Sequence, residues 1–206
     1  MRLSVRGISL SRGGRAVLAN VSFNISSGEA LVVSGANGAG KSSLLRALAG
    51  LLDITDGDVQ LFGALGEREP QLHYIGHSEA MKPALTAREN LDFWAEMLRG
   101  AQQGSNRAAL SARQALAQFG LAQAADLPFG WLSAGQRRRV ALARLLVAPR
   151  PLWLLDEPAT ALDTAAQADF AGLMAAHLAS GGMIIAATHA PLGLEGAREL
   201  RLGAPA

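Results

Sequence analysis

A glycine-rich stretch, GANGAGKSS at residues 35–43, constrains the fold of this chain more than any other feature. The apolar run ALVVS at 30–34 precedes it, and LLRALAGLL at 44–52 follows with the spacing of a helix. The stretch satisfies G-x-x-x-x-G-K-[ST], in which glycines let successive backbone N–H groups surround phosphate oxygens. The flanking strand and helix disfavour the alternative of a turn with a chance lysine. The pattern therefore predicts an α/β core that binds a nucleoside triphosphate.

Each polar side chain of this loop has a chemical role in such a site. Lys41, one of two lysines in the chain, is predicted to reach the β- and γ-phosphates. Ser42 is predicted to supply a hydroxyl to Mg²⁺. The predicted ATP-binding residues are Gly35, Ala36, Asn37, Gly38, Ala39, Gly40, Lys41, Ser42 and Ser43.

Two carboxylates end an apolar run in PLWLLDEP at 151–158. The carboxyl edge of a buried parallel strand is where open α/β sheets bind ligands. We expect Asp156 to hold Mg²⁺ and Glu157 to act as general base toward the attacking water. The alternative, two acids that merely solvate a strand end, is disfavoured by the phosphate-binding loop in the same chain.

A second candidate anion site lies in LSAGQ at 132–136, at the start of a helical pattern. Ser133 is predicted to cap the helix, and Gly135 lets the backbone approach a neighbour closely. A helix N-terminus of this kind binds anions. The chain thus has two phosphate-binding features about ninety residues apart.

Composition excludes several classes of protein. The chain has 206 residues, half of them apolar, a net charge of +2 and no cysteine, which excludes disulfides and thiolate metal sites. The apolar runs at 151–155 and 183–187 are far shorter than the roughly 20 residues of a membrane span, and the N-terminus lacks a signal-peptide core. The arginines at 137–139 have no interleaved aromatic residues, which disfavours nucleic acid; we expect them at the exposed start of the helix.

Hydrophobic spacing changes along the chain. Alternation at 2–10 and 17–25 predicts two strands joined by a turn. From about residue 83 to 148 the pattern is helical, and Thr86 and Glu89 have the spacing of a capping box. Strand and helix patterns then resume.

The motifs together resemble the ATP-binding cassette (ABC) ATPases. GANGAGKSS, LSAGQ, LLDEP, Ala161-Leu162-Asp163 and His189 occur in the order and spacing of that family. The resemblance covers the whole chain and implies a single ABC ATPase domain. Its P-loop NTPase core would carry an N-terminal antiparallel β-subdomain and an inserted helical subdomain. The implied division of residues 1–206 is a core of 1–82 and 149–206 and a signature subdomain of 83–148.

The resemblance also implies roles that the residues alone do not. Two copies would pair head to tail, with the signature residues of one over the ATP of the other; these are Ser133, Ala134, Gly135 and Gln136. Asp163 would contact the second copy, and it is also a candidate N-cap for the helix at 164–179. His189 would contact the γ-phosphate and order the water together with Glu157.

Three positions depart from the family pattern. Arg12 stands near the usual adenine-stacking aromatic residue, and a guanidinium can also stack on a purine. His77 replaces the usual glutamine of the loop that senses Mg²⁺ and the membrane subunit, which puts metal contact by this residue in doubt. Ala134 replaces a glycine.

The particular residues within and around these motifs resemble those of the ATP-binding subunits of the haem exporter of cytochrome c biogenesis. That resemblance implies ATP hydrolysis coupled to a transmembrane partner, at the cytoplasmic side of the inner membrane and peripheral to it. Segment 77–90 would lie near the groove for that partner. A different exporter remains the alternative. DNA-repair cassette proteins are disfavoured because no heptads separate the motifs, and a non-hydrolysing module is disfavoured by the presence of Glu157 and His189.

Overall fold

The computed structural model describes residues 1–63, 71–98 and 108–203. In chain order its elements are β1 (Arg2–Arg12), β2 (Arg15–Ser26), β3 (Ala30–Ser34), α1 (Lys41–Leu48), β4 (Asp56–Phe62), β5 (Leu72–Ile75), α2 (Ala87–Leu98), α3 (Ala112–Gln118), α4 (Ala134–Val147), β6 (Leu152–Asp156), α5 (Thr164–Ala179), β7 (Met183–Ala187) and β8 (Arg198–Arg201). Short 3₁₀ turns occur at Ala122–Ala124 and Phe129–Trp131.

The first strands form an antiparallel sheet of order β2-β1-β4. β1 and β2 pair as a hairpin around Gly13 and Gly14, whose φ angles of 56° and 76° suit glycine. Leu3 and Val5 are buried, as period-two alternation requires. The predicted antiparallel β-subdomain at the N-terminus is confirmed.

The second sheet is parallel, with order β5-β6-β7-β3-β8. Every residue of β6 and β7 is buried, which explains their continuous apolar sequences. Alternate residues of β6 face different cores: Leu152 and Leu154 join the cluster around α1, and Trp153 and Leu155 join the cluster of α2–α5. The edge strand β8 was not predicted, because its sequence RELR has no apolar run.

Helix α1 differs from the sequence prediction of a helix at 44–52. It begins at Lys41 and ends at Leu48, because Gly50 (φ 71°) closes it. The Leu51 N–H donates to Arg46 O at 2.9 Å and the Gly50 N–H to Ala47 O at 3.1 Å, which is a Schellman motif. Lys41, predicted to bind phosphate, therefore lies in the first helical turn, where backbone N–H groups lack helical partners.

Helices α2, α3 and α4 lie between β5 and β6 in the chain and contact one another. The predicted capping box is present, since the Glu89 N–H donates to Thr86 Oγ1 and the Thr86 N–H donates to Glu89 Oε2. From the sequence, Gly100 is a plausible stop for α2, but this residue lies outside the described part of the chain. Among the described residues, no helix is long and apolar enough to cross a membrane.

Candidate nucleotide-binding site

The glycine-rich loop joins the carboxyl end of β3 to α1. The Lys41 ammonium lies inside the loop and donates to Gly35 O at 2.8 Å and Ala36 O at 3.1 Å. A Cβ at Gly40 (φ 92°) would meet Leu18 Cδ2 at 2.7 Å, so only glycine fits there. The loop is therefore shaped by close contacts, with its lysine held at the centre.

A cavity of about 270 Å³ opens above this loop. It brings together three segments that are far apart in sequence: the glycine-rich loop, the acidic pair and the predicted catalytic histidine. Its lining residues are Val17, Asn37, Gly38, Gly40, Lys41, Ser42, Ser43, His77, Asp156, Glu157 and His189. Arg12 is exposed on the β1–β2 hairpin and does not line this cavity.

Ser42 and Asp156 form the part of the cavity suited to a divalent cation. Ser42 Oγ donates to Asp156 Oδ1 at 3.0 Å, and Asp156 is 1% exposed. Tyr74 donates its hydroxyl to Asp156 Oδ2 at 3.4 Å. Burial raises the pKa of Tyr74, so the phenol stays a donor at neutral pH. One hydroxyl and one carboxylate fit Mg²⁺, which takes few protein ligands and completes its shell with phosphates and water.

Glu157 and His189 face each other across the cavity. His189 Nε2 lies 3.8 Å from Glu157 Oε1. Glu157 has a left-handed backbone (φ 47°). Its N–H donates to Ala187 O at 2.8 Å, which holds the loop after β6 against β7. A carboxylate next to a partly exposed imidazole can accept a proton from water that enters here.

His77 lies close to the other member of the acidic pair, Asp156. Its Nε2 is 3.9 Å from Asp156 Oδ2, and the side chain is 62% exposed. It lines the nucleotide cavity and also a neighbouring groove, described below. His77, predicted to link the metal site to the membrane subunit, therefore lines both the cavity and the groove.

The signature residues 133–136 are not among the described residues that line this cavity. Ser133 caps α4 as predicted, with its N–H donating to Gln136 Oε1 at 2.9 Å and the Gln136 N–H donating to Ser133 Oγ at 3.2 Å. A Cβ at Gly135 would meet Ala161 O at 2.8 Å, so the close neighbour of this glycine is the loop after the acidic pair. Ala134 is exposed in the first turn.

Asp163 caps α5, since its Oδ1 accepts from the Ala166 N–H at 2.8 Å. This confirms the N-cap alternative for this residue. The predicted contact with a second copy remains a prediction.

The prediction that the arginines at 137–139 are exposed is wrong: Arg138 is buried, and Arg137 and Arg139 are half-buried. Arg138 is 5% exposed, and its guanidinium donates to the backbone carbonyls of Asp156, Glu157 and Pro158. Sequence reasoning missed it because a run of like charges suggests a solvated surface. Its spacing to Leu142 and Leu145, both buried, placed it on the inner face of the helix.

A second cavity, the lateral groove, has a volume of about 430 Å³. Arg144 stacks at 4.3 Å from the centre of the Trp94 ring and donates to Tyr74 O at 2.6 Å. Burial lowers the pKa of Arg144 to about 10, so the guanidinium remains charged at neutral pH. The groove is lined by Arg46, Ala49, Leu51, Leu72, His73, Tyr74, Gly76, His77, Ser78, Ala80, Trp94, Leu98, Arg144 and Arg150.

Comparisons with known proteins identify the family of this chain. Residues 18–160 match the ABC transporter family. A cytochrome c biogenesis ATP-binding export protein CcmA of Nitrobacter winogradskyi is 52% identical over 208 residues, covering 100% of both chains. A protein of that name from Chelativorans sp. is 53% identical and covers 99% of both.

Among solved structures, a dimeric ATP-binding cassette in a post-hydrolysis state, bound to ADP and Pi, superposes with a TM-score of 0.76. It is 25% identical, and the alignment covers 91% of this chain and 88% of that one. The likeness confirms the predicted P-loop NTPase fold with its antiparallel sheet and helices. By sequence, by fold and by the residues around the cavity, the chain belongs to the ABC transporter ATPase family, among the cytochrome c biogenesis ATP-binding export proteins.

Proposed function

We propose that this chain is the ATP-hydrolysing subunit of a membrane export complex of cytochrome c biogenesis, which converts ATP and water to ADP and phosphate. The observation that carries the proposal is the convergence of Lys41, Ser42, Asp156, Glu157 and His189 on one cavity. The relatives, similar over the full chain, are named for ATP binding and export in cytochrome c biogenesis.

The residues divide the chemistry among them. The loop N–H groups and Lys41 bind the phosphates, and residues 35–43 supply this cradle. Ser42 and Asp156, 3.0 Å apart, would hold Mg²⁺, which would neutralise phosphate charge. Glu157 takes a proton from the attacking water, and His189 orders that water against the γ-phosphate. Hydrolysis thus depends on side chains at the start of α1 and at the carboxyl ends of β6 and β7.

The signature residues complete the site of a second copy. Residues 133–136 lie outside the cavity of their own chain, yet they form the N-terminus of helix α4, where an anion is stabilised. A head-to-tail dimer would place Ser133 and Gly135 against the γ-phosphate held by the second copy, with Asp163 nearby. The related dimeric cassette bound to ADP and Pi supports this arrangement.

A transmembrane subunit would dock in the lateral groove. The groove combines exposed Leu51 with Trp94 and the charged Arg144, a mixed surface suited to a helix that carries apolar and acidic residues. The helical subdomain at 83–148 would form one wall, and His77 would connect the groove to the nucleotide. The chain would then be peripheral, held at the cytoplasmic side of the inner membrane by that partner, with haem export or haem-chaperone release as the driven process.

The test is expression of the chain with the membrane subunits of a cytochrome c biogenesis exporter. We expect co-purification, ATPase activity that needs Mg²⁺, and restored cytochrome c maturation in cells that lack the native ATPase. Lys41→Ala should weaken ATP binding about 10- to 100-fold, since it removes a charged donor; Lys82→Ala, the other lysine, is the control. Activity with an unrelated exporter and none with this one would favour the alternative of a different export system.

A further inference from the structure

Arg138 is a buried cation that the family motifs do not explain. It lies in the second turn of α4 and is 5% exposed. Its guanidinium donates to four backbone carbonyl groups: Nη1 to Gly76 O at 2.7 Å, Nη2 to Asp156 O at 3.0 Å and to Glu157 O at 2.8 Å, and Nε to Pro158 O at 3.2 Å. A planar group with several N–H donors is needed to reach four acceptors at once.

The four acceptors belong to two segments that carry predicted functional side chains. Gly76 is directly before His77, and Asp156, Glu157 and Pro158 form the acidic loop after β6. Helix α4, from which Arg138 extends, begins at the signature serine. The Arg138 side chain therefore connects helix α4 to the backbone before His77 and to the backbone of the acidic loop.

The contact with Glu157 constrains an unusual backbone. A non-glycine residue at φ 47° is strained and persists only where its surroundings hold it. The Glu157 N–H donates to Ala187 O at 2.8 Å, and its C=O accepts from Arg138 Nη2 at 2.8 Å. Hydrogen bonds thus hold both the N–H and the C=O of Glu157, and this sets the direction in which its carboxylate points.

The charge balance suits a guanidinium here. Burial lowers the pKa of Arg138, while the negative charges of Glu79, Asp156 and Glu157 oppose that shift. Four carbonyl dipoles and nearby carboxylates therefore solvate the cation. Removing it would leave buried carbonyl groups without their donors, and the acidic loop would rearrange.

We propose that Arg138 is a positioning residue for ATP hydrolysis: it fixes the backbone of Glu157 in the orientation that points the carboxylate at the attacking water and ties that orientation to the signature helix. The inference rests on the proposed role of Glu157 as general base. It assigns Arg138 no contact with ATP, so nucleotide affinity does not depend on it. Movement of α4 during dimer closure is transmitted by this side chain to the base.

Arg139 offers a matched control on the same helix. It is half-buried and donates to Phe119 O at 3.2 Å, on the side of α3, without contact to the acidic loop. Replacing Arg139 removes a guanidinium and one half-buried hydrogen bond, whereas replacing Arg138 removes four hydrogen bonds. A purely structural role for Arg138 therefore predicts a larger loss of thermal stability than for Arg139, with kcat near the original value in both variants.

The experiment compares Arg138→Met, Arg138→Lys and Arg139→Met in the full chain with its membrane partner, measuring kcat, KM, ATP affinity and thermal unfolding. For Arg138→Met we expect kcat to fall about tenfold or more, since a displacement near 1 Å can cost about 100-fold, with ATP affinity within about twofold of the original. Arg138→Lys should recover part of kcat. Arg139→Met should keep kcat near the original value.

Three results would overturn the inference. One is equal kcat for Arg138→Met and Arg139→Met. Another is a loss of ATP affinity as large as the loss of kcat. The third, decisive if Arg138→Met does not fold, is an Arg138→Lys variant with unchanged kcat. Glu157→Gln separates the two proposals: full activity there refutes the base, whereas an inactive Glu157→Gln beside a fully active Arg138→Met refutes only the positioning role.

Discussion

His189 Nε2 lies 3.8 Å from Glu157 Oε1, although 31 residues separate the two along the chain. Glu157 follows β6 and His189 follows β7, and these two strands are parallel neighbours. Parallel strands deliver their carboxyl ends to one edge of the sheet, so both side chains reach the phosphate-binding loop after β3. The proposed catalytic pair is therefore brought together by the pairing of adjacent strands and not by a local sequence motif.

Glu157→Gln should stop turnover and leave ATP binding intact. The amide keeps the size of the side chain but cannot accept a proton from water, and loss of a general base costs about 100- to 10,000-fold. Steady-state phosphate release and equilibrium ATP binding measure the two effects. Glu195→Gln, an exposed acid outside the cavity, is the control. Normal hydrolysis by Glu157→Gln would contradict the base assignment.

Ser133→Arg should block hydrolysis while each chain still binds ATP. An arginine at the start of α4 would occupy the space that the phosphate of a second copy needs. We expect turnover about 100-fold or more below the original, since a lost donor to developing charge costs that much, and no ATP-dependent dimer in light scattering. Ser111→Arg removes the same kind of capping box from α3 and controls for stability. Equal turnover in both variants would refute the dimer.

His77→Gln should change stimulation of the ATPase by the membrane partner more than basal activity. His77 lines both the groove and the nucleotide cavity, whereas Ser78 lines the groove. A residue between two sites changes their coupling by roughly 0.5–2 kcal/mol, which is about 2- to 30-fold in the stimulation ratio. The ratio is measured with and without the partner, and Ser78→Ala is the control. An unchanged ratio would contradict the coupling role.

The stability of this chain should fall in mild acid because of His73. The side chain is 2% exposed and its Nε2 lies 2.6 Å from Ala148 O. Burial, aided by the charges of Arg144 and Arg150, holds the pKa of His73 well below its ordinary value of 6.5. Below pH 6.5 the unfolded chain binds a proton that the folded chain excludes, so acid favours unfolding, by up to about 1.4 kcal/mol per pH unit.

Replacement of His73 by glutamine should remove this part of the pH dependence. The free energy of unfolding, measured in urea between pH 5 and 8, should then vary less steeply with pH than in the original chain. His77→Gln, which removes an exposed histidine, is the control. A slope unchanged by His73→Gln would show that this residue is not the group responsible.

Local sequence determined the elements that depend only on residues close together in the chain. β3 coincides with the apolar run at 30–34 and β6 lies within the stretch at 151–158, because a strand buried on both faces is a continuous apolar run. The capping box at Thr86 and the N-cap at Ser133 are contacts within one helical turn, so the local sequence predicts both. The phosphate-binding loop is likewise a contiguous motif between strand and helix.

Tertiary structure alone decided the contacts between distant segments. The edge strand β8 forms by pairing with β3, although its own sequence has no strand pattern. Arg138 looked exposed among three arginines, but it is buried because Gly76 and the acidic loop lie beneath α4. The sequence determined which chemical groups this chain possesses. Which of them meet depended on strand order and helix packing, because long-range contacts leave no period in the sequence.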